Sequence, residues 1–363
     1  MMNFSQYNNC TKIVIPRNVR LSTNDFSGAF AEMQNLQYLD IDKNIENKID
    51  MISNGYGSGA LCYNCRNLIN RAICGPNVTN MSRSYYNCTN LTTAVCGDNV
   101  TSMGSAYYNC TNLTTTVCGD NVTNMGSAYY NCTNLTTTVC GDNVTNMSSV
   151  YYNCTNLTTA VCGNNVTNMY NTYSGCLKLT TAVCGPNVTD MSDAYENCTN
   201  LTIAVCGPNV TNMCGAYSKC TNLTIAVCGP NVTNMDSAYK NCTNLTTAVC
   251  GPNVTAMGYE YQGNFGAYYN CPNIQGNSYL YSPNVNVVRD CFRGRNTSNM
   301  LNIYVQENST TMNTCLISNT YSLTGSTITW TNDSTNNRYY NTQANIYIYP
   351  VANVYQAKID NGD

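Results

Sequence analysis

Residues 88–109 read C-T-N-L-T-T-A-V-C-G-D-N-V-T-S-M-G-S-A-Y-Y-N, and nearly the same 22 residues recur through the middle of the chain. The later copies begin at Cys110, Cys132, Cys154, Cys176, Cys198, Cys220 and Cys242. A fixed period of this length predicts a repeat solenoid, in which one short supersecondary unit stacks on the next. A stack presents a long, regular surface, which favours binding over catalysis.

The chain carries little charge: 16 Lys and Arg against 19 Asp and Glu give a net charge of −3. It has no basic patch, so we expect no nucleic-acid partner. No apolar run approaches the roughly 18 residues of a membrane span. The N-terminus lacks the basic and apolar segments of a signal peptide. We therefore expect a protein made in a host cytosol that leaves by lysis in a virion, with the cell surface as the alternative location.

The 24 cysteines do not have the spacing of a disulfide scaffold. Cys88 and Cys96 are eight residues apart, which in an extended chain exceeds the roughly 7 Å limit for a disulfide. Equivalent cysteines of successive repeats would stack closely enough to bond, but their side chains would point the same way. We expect two columns of buried free thiols that act as small hydrophobic groups. The reactive thiols are expected outside these columns, at strays such as Cys62, Cys214, Cys291 and Cys315.

Each repeat has the pattern of one strand and one turn of helix. The stretch from Leu91 to Cys96 is rich in Thr and Val and predicts a short strand. Gly97 and Asp98 then supply turn chemistry. Apolar side chains follow at nearly helical spacing, at Val100, Met103, Ala106, Tyr107 and Cys110. The expected fold is a parallel β-sheet of one short strand per 22-residue repeat, with short helical or 3₁₀ turns on the other face.

The pattern L-x-x-A-x-C-G-P-N-V-T-x-M-x-x-A-Y-x-x-C closely resembles the BspA-like leucine-rich repeat, over about residues 10 to 299. Two core aliphatic positions of that family are occupied here by Cys96 and by Ala94 or Thr116, and Tyr replaces Phe. The Tyr-Asn-Cys-Thr-Asn repeats are also similar to repeat proteins encoded by phages of gut bacteria. The resemblance implies a leucine-rich-repeat fold and surface attachment.

The family resemblance implies which side chains face inward. It places Leu91, Ala94 and Cys96 in the core and leaves Thr93 and Val95 on the open face of the sheet. We therefore predict a binding face made of Thr93, Val95, Thr115, Val117, Thr137, Val139, Thr159, Val161, Thr181, Val183, Ile203, Val205, Ile225, Val227, Thr247 and Val249. The alternative is that Val and Thr are there only as good strand residues.

The two ends of the chain differ from the repeats. We expect an N-terminal cap of degenerate repeats over residues 1–62, the solenoid over 63–299, and a small β-rich C-terminal module over 300–363, which can hold a partner or a second protomer. A hairpin is predicted in this module between Ile328 and Tyr340. An insertion near the last repeats carries the aromatic residues Tyr259, Tyr261 and Phe265, as candidate contacts or as a lid over the stack.

Nothing in the sequence points to catalysis, a metal or a cofactor. Histidine is absent, and the pair Cys62 and Cys65 has no second half with which to complete a zinc site. We expect a non-enzymatic binding or adhesion protein, first as a receptor-binding component of a phage virion or tail that contacts a host cell-surface glycan or protein. The alternatives are a decoration or assembly subunit that packs against other virion proteins through the Val/Thr face, and a bacterial or protist surface adhesin.

Overall fold

The inward-facing side chains of each repeat form the core. In the repeat that starts at Cys110, Leu113, Val122, Met125 and Tyr129 have no exposed surface. The computed structural model describes residues 4–18, 28–46, 61–69, 72–258, 265–317 and 322–361. The chain divides into two units, residues 1–179 and 180–363. Both contain stacked repeats, and the structure has a leucine-rich-repeat fold with parallel strand pairing.

Regular elements lie mainly outside the uniform repeats. The first unit contains a 3₁₀ turn at Ser5–Tyr7, parallel strands β1 (Lys12–Ile15) and β2 (Tyr38–Ile41), and helix α1 (Lys43–Glu46). The second unit contains β3 (Val249–Cys250), β4 (Gly276–Leu280), β5 (Leu301–Gln306), α2 (Thr310–Cys315), β6 (Thr331–Asp333), β7 (Arg338–Asn341), β8 (Ile346–Val351) and α3 (Val354–Asp360). None of the helices in the described ranges is long and apolar enough to cross a bilayer.

The C-terminal strands join one sheet with the last repeats of the second unit. The strand order is β3-β4-β5-β8-β7-β6. The first four strands run parallel, and β7 and β6 add an antiparallel hairpin at one edge. The hairpin pairs Thr331 with Tyr340 and Asp333 with Arg338. Its first strand thus starts just after the predicted segment around Ile328, because the turn between the strands is shorter than expected.

The predicted strand of the uniform repeats does not form a continuous ladder. Isolated parallel bridges join Thr93 with Thr115 and Ile203 with Thr181 and Ile225, and none of the described bridges involves Thr137 or Thr159. A tyrosine hydroxyl from the same repeat bonds the backbone two residues further on. The Tyr107 hydroxyl accepts the N–H of Val95 at 2.9 Å and donates to its carbonyl at 2.6 Å. Both backbone groups of Val95 are therefore satisfied within the repeat.

The predicted helical or 3₁₀ turn is replaced by two tight turns. Ser105 and Asn109 have positive φ angles of 55° and 59°, which a right-handed helix excludes. Their N–H groups bond to the carbonyls of Gly126 and Tyr130 in the next repeat, at 2.8 and 2.7 Å. The apolar spacing that suggested a helix is thus produced by turns that pair each repeat with its neighbour.

The two cysteine columns differ in burial. All 24 cysteines are free. The column of Cys110 is buried, and the Cys110 thiol donates to the Tyr85 carbonyl at 3.1 Å. The column of Cys96 is half-buried as far as Cys228 and fully buried only at Cys250, so the expectation of two buried columns is wrong for the second one.

The glycine after each half-buried cysteine has no room for a side chain. A Cβ on Gly141 would lie 2.9 Å from the Cys118 sulfur and 3.2 Å from the Gly119 carbonyl oxygen, closer than side chains normally approach. Gly207 has the same contacts in the second unit, at 2.7 Å from the Cys184 sulfur. The thiol of each repeat therefore packs against the glycine of the next repeat, where a side chain would collide with the sulfur.

The stray cysteines are also more buried than the sequence predicts. Cys62, Cys291 and Cys315 are buried, and Cys214 is half-buried, whereas Cys10 is exposed. The expectation that these strays are the reactive thiols is therefore wrong for the three buried ones. Cys315 is the last residue of α2, which packs against β5, whereas Cys62 and Cys291 lie in repeats that depart from the common sequence pattern and keep its packing.

Candidate functional site

The predicted binding face has an exposed column and a half-buried column. The Thr and Ile residues of the face are exposed in all eight repeats, and the neighbouring Val residues are half-buried in all eight. The largest exposed apolar side chains of the column are Ile203 and Ile225, at 60% and 61% exposure. They are paired across neighbouring repeats of the second unit, so together they form a local apolar patch.

A cleft of about 350 Å³ lies beside Ile225 in the second unit. It brings together three residues of the predicted face with residues that the sequence analysis did not select. Its lining consists of Ile225, Ala226, Thr247, Ala248, Val249, Asn277, Tyr279, Tyr281 and Lys358. The floor is aliphatic, and the polar groups come from Thr247 of the predicted face, from β4 with the adjoining Tyr281, and from α3.

Helix α3 is fixed against the sheet next to this cleft. Its first turn is capped by Asn353, whose side-chain oxygen accepts the N–H groups of Tyr355 and Gln356 at 2.9 and 3.1 Å. Val354 and Ala357 form a buried cluster with Tyr279. Because these contacts hold α3, they also fix the place of Lys358, one residue after Ala357.

Tyrosine rings form the wall on the α3 side. The Tyr281 ring stacks on Tyr355 with centroids 4.4 Å apart, and the Tyr279 ring stacks on Tyr304 at 4.9 Å. The hydroxyl of Tyr279 accepts the Asn361 amide at 3.0 Å. Burial and the neighbouring Tyr355 raise the pKa of Tyr281. The hydroxyl of Tyr281 therefore stays protonated at neutral pH and can donate a hydrogen bond.

The electrostatics of the cleft are set by one lysine. Among the described lining residues, Lys358 alone carries a formal charge. In the part of the chain that the structure describes, none of the ion pairs includes Lys358. An aliphatic floor beside an unpaired ammonium group is suited to a ligand that has an apolar part and a negative charge.

The predicted contacts on the insertion divide into two groups. Tyr259 and Tyr261 lie outside the described residues. Phe265 is half-buried, with the Lys240 ammonium 3.4 Å from its ring centroid and the Tyr269 ring at 4.4 Å. The Phe265 ring is thus already used in contacts within the second unit.

The sequence contained a signal for the missed part of the cleft. Asn353 followed by Val354 and Ala357 is a helix cap followed by apolar residues three apart, which predicts a short amphipathic helix. The sequence alone does not place that helix beside β4, which holds Tyr279, and the adjoining Tyr281. Among the described residues, no group of three or more Cys, Asp or Glu is arranged to hold a metal ion.

Three solved structures resemble the chain. They are a leucine-rich repeat protein from Bacteroides ovatus ATCC 8483 (16% identity, 67% of this chain and 69% of that chain, TM-score 0.49), a leucine rich cell surface protein from Faecalibacterium prausnitzii A2-165 (18%, 74% and 78%, TM-score 0.40) and a leucine-rich repeat protein from T. pallidum (18%, 59% and 84%, TM-score 0.36). No curated protein sequence matches the chain.

The sequence model of the BspA type leucine rich repeat region matches in six copies, over residues 58–180 and 148–275. The match covers more than half of the 363 residues, and it falls on the repeats whose leucine and tyrosine side chains form the core. The chain therefore belongs to the BspA type leucine-rich-repeat family.

Proposed function

We propose that the chain is a non-enzymatic adhesion protein that binds a partner on a cell surface through the patch of Ile203 and Ile225 on its exposed Thr/Ile face. The exposure of Ile203 and Ile225, at 60% and 61%, carries the proposal. The other six repeats have Thr in this column, so the two isoleucines are not needed for the fold. Adjacent exposed aliphatic side chains next to a cleft are typical of a recognition surface.

Family membership supports the same function. BspA-like leucine-rich-repeat proteins are surface and adhesion proteins, and their repeats act as scaffolds for binding. The column that faces solvent is uniform within the first unit, with Thr at 93, 115, 137 and 159, and becomes apolar only in the second. We therefore locate the contact in the second unit, at the patch of Ile203 and Ile225.

A cell-binding assay tests the proposal. Fluorescently labelled chain is incubated with gut bacterial cells and with immobilised cell-envelope polysaccharide and protein fractions. The double variant Ile203→Asp and Ile225→Asp should bind at least tenfold more weakly, because charge replaces the apolar contact. The matched control is Thr115→Asp with Thr137→Asp, which places two charges on the same column of the first unit and should bind like the unmodified chain.

Two results would overturn the proposal. One is unmodified binding by the Ile203→Asp and Ile225→Asp variant, with circular dichroism showing that it is folded. The other is the absence of saturable binding to every cell and envelope fraction. A hydrolytic activity on those fractions would show instead that the chain is an enzyme.

The location of the chain in a phage virion or tail, rather than on a cell surface, remains a prediction. The similarity of the Tyr-Asn-Cys-Thr-Asn repeats to repeat proteins of gut phages supports it. Mass spectrometry of purified virions and of washed cell envelopes distinguishes the two locations. An assembly role, with the Val/Thr face packed against another virion chain, predicts an obligate oligomer in light scattering that dissociates in the Ile203→Asp and Ile225→Asp variant.

A further inference from the structure

We propose that the cleft between the sheet face and α3 binds an aliphatic carboxylate: a branched or straight hydrocarbon group that carries one negative charge. The inference rests on the proposed binding role of this face and assigns a ligand class to it. It is carried by the shape of the cleft, by the chemistry of its floor and by the single ammonium group beside it.

The floor selects for hydrocarbon. Ile225, Ala226, Ala248 and Val249 contribute aliphatic side chains to a space of about 350 Å³, and burial of apolar surface is the main favourable term that they offer. They supply no side-chain hydrogen bonds. A ligand with many hydroxyl groups would therefore lose water there without replacement, which is unfavourable for each unpaired group.

Lys358 selects for negative charge. It is half-buried on a helix whose position is fixed by the packing of Val354 and Ala357 on Tyr279. An ammonium group at the edge of an apolar cleft attracts a carboxylate, and the apolar lining screens the pair less than open water does. Thr247 and Tyr281 add hydroxyl donors to the same lining, so the second carboxylate oxygen has donors as well.

This chemistry can come from two sources: the C-terminus of a peptide that ends in an aliphatic residue, or a fatty acid. N-acetyl-leucine represents the first and octanoate the second. N-acetyl-leucinamide and octanol are their uncharged counterparts. Titration of the full-length chain, followed by NMR, should give saturable binding of one or both acids, with a dissociation constant on the order of 1 mM. The tighter of the two acids identifies the source.

Two variants with matched controls test the two halves of the site. Lys358→Gln should weaken binding of the acid about tenfold, whereas Lys178→Gln removes a charge from an exposed lysine of the first unit and should change nothing. Ile225→Thr should weaken binding roughly fivefold, whereas Ile69→Thr makes the same exchange at an exposed isoleucine of the first unit, outside the cleft lining, and should leave binding unchanged. Ile225→Thr restores the common residue of the column, so we expect it to fold.

The outcomes separate this inference from the proposed function. Equal binding of N-acetyl-leucine and its amide, no effect of Lys358→Gln, or no saturable binding of either acid would overturn the inference. If cell binding persists in Lys358→Gln but is lost in the Ile203→Asp and Ile225→Asp variant, the adhesion role stands without the carboxylate site. Loss of both acid binding and cell binding in Lys358→Gln supports both.

Discussion

Tyr129 shows why these repeats carry tyrosine where the family resemblance gives phenylalanine. Its ring is fully buried and stacks between Tyr107 and Tyr151, with centroids 5.7 Å away on both sides. Its hydroxyl accepts the N–H of Val117 at 3.1 Å and donates to the Val117 carbonyl at 2.5 Å. One side chain therefore fills the core and satisfies a donor and an acceptor that have no partner in a neighbouring repeat.

The variant Tyr129→Phe should lower the free energy of unfolding by about 1–3 kcal/mol, because it leaves both backbone groups of the half-buried Val117 unpaired. Urea unfolding followed by circular dichroism measures the change. The control is Tyr130→Phe, a half-buried tyrosine whose ring stacks on Tyr108 and Tyr152 at 4.4 and 4.5 Å and whose hydroxyl bonds no backbone group in the described contacts. Equal losses in the two variants would contradict this account.

At the scale of the element, the contact between repeats depends on a thiol and a missing side chain. The Cys118 sulfur lies in the space that a Cβ on Gly141 would occupy. This close approach explains why the glycine recurs at the same place in every uniform repeat. The sequence suggested turn chemistry, but Gly141 is not among the residues with positive φ.

Gly141→Ala should therefore lower the free energy of unfolding by about 1–3 kcal/mol, as expected for overpacking. Cys118→Ala in the same chain removes the sulfur and should recover part of that loss, giving a coupling energy on the order of 1 kcal/mol in a double-mutant cycle. The matched control pairs Gly141→Ala with Cys162→Ala, which alters a thiol in the repeat on the other side. Strict additivity of Gly141→Ala and Cys118→Ala would show that the two groups do not touch.

The sequence pattern indicates the period, and the family resemblance adds the inward leucine column and the exposed threonine column. The pattern does not predict the turns at Ser105 and Asn109, since a helix and a pair of tight turns produce the same apolar spacing and the φ angles depend on bonds to the next repeat. The cleft was missed for a similar reason. Tyr279 and Lys358 are 79 residues apart in the chain, and only the fold brings them together.

At the scale of the whole molecule, stability should depend on pH through two acids. Burial raises the pKa of Asp236 from 3.8 to about 7, and burial together with Glu196 raises that of Asp193 to about 6. Asp236 is only 3% exposed, and its Oδ1 atom has no hydrogen-bond partner among the described residues. The folded chain thus holds these protons more tightly than the unfolded chain. Their stabilising effect is fully present below about pH 4 and is lost as the pH rises past 6 to 7.

The chain should therefore be less stable at pH 8 than at pH 5. Asp236→Asn should reduce that difference by on the order of 2 kcal/mol, after allowance for solvent screening. Urea unfolding at the two pH values measures it. Asp98→Asn, at an exposed aspartate of the first unit, is the control and should leave the pH dependence as it was. A pH dependence unchanged in Asp236→Asn would show that this carboxyl is not the source.

The near-identity of successive repeats has a consequence for folding kinetics. A repeat that searches for its neighbour meets several equivalent surfaces, and docking on the wrong one satisfies most of the same groups. Such an off-by-one intermediate is a trap that the chain must unfold to leave. Contacts between residues that differ from copy to copy favour the correct neighbour over the other repeats. The ion pair of Glu196 and Lys219, at 2.7 Å, is one such contact.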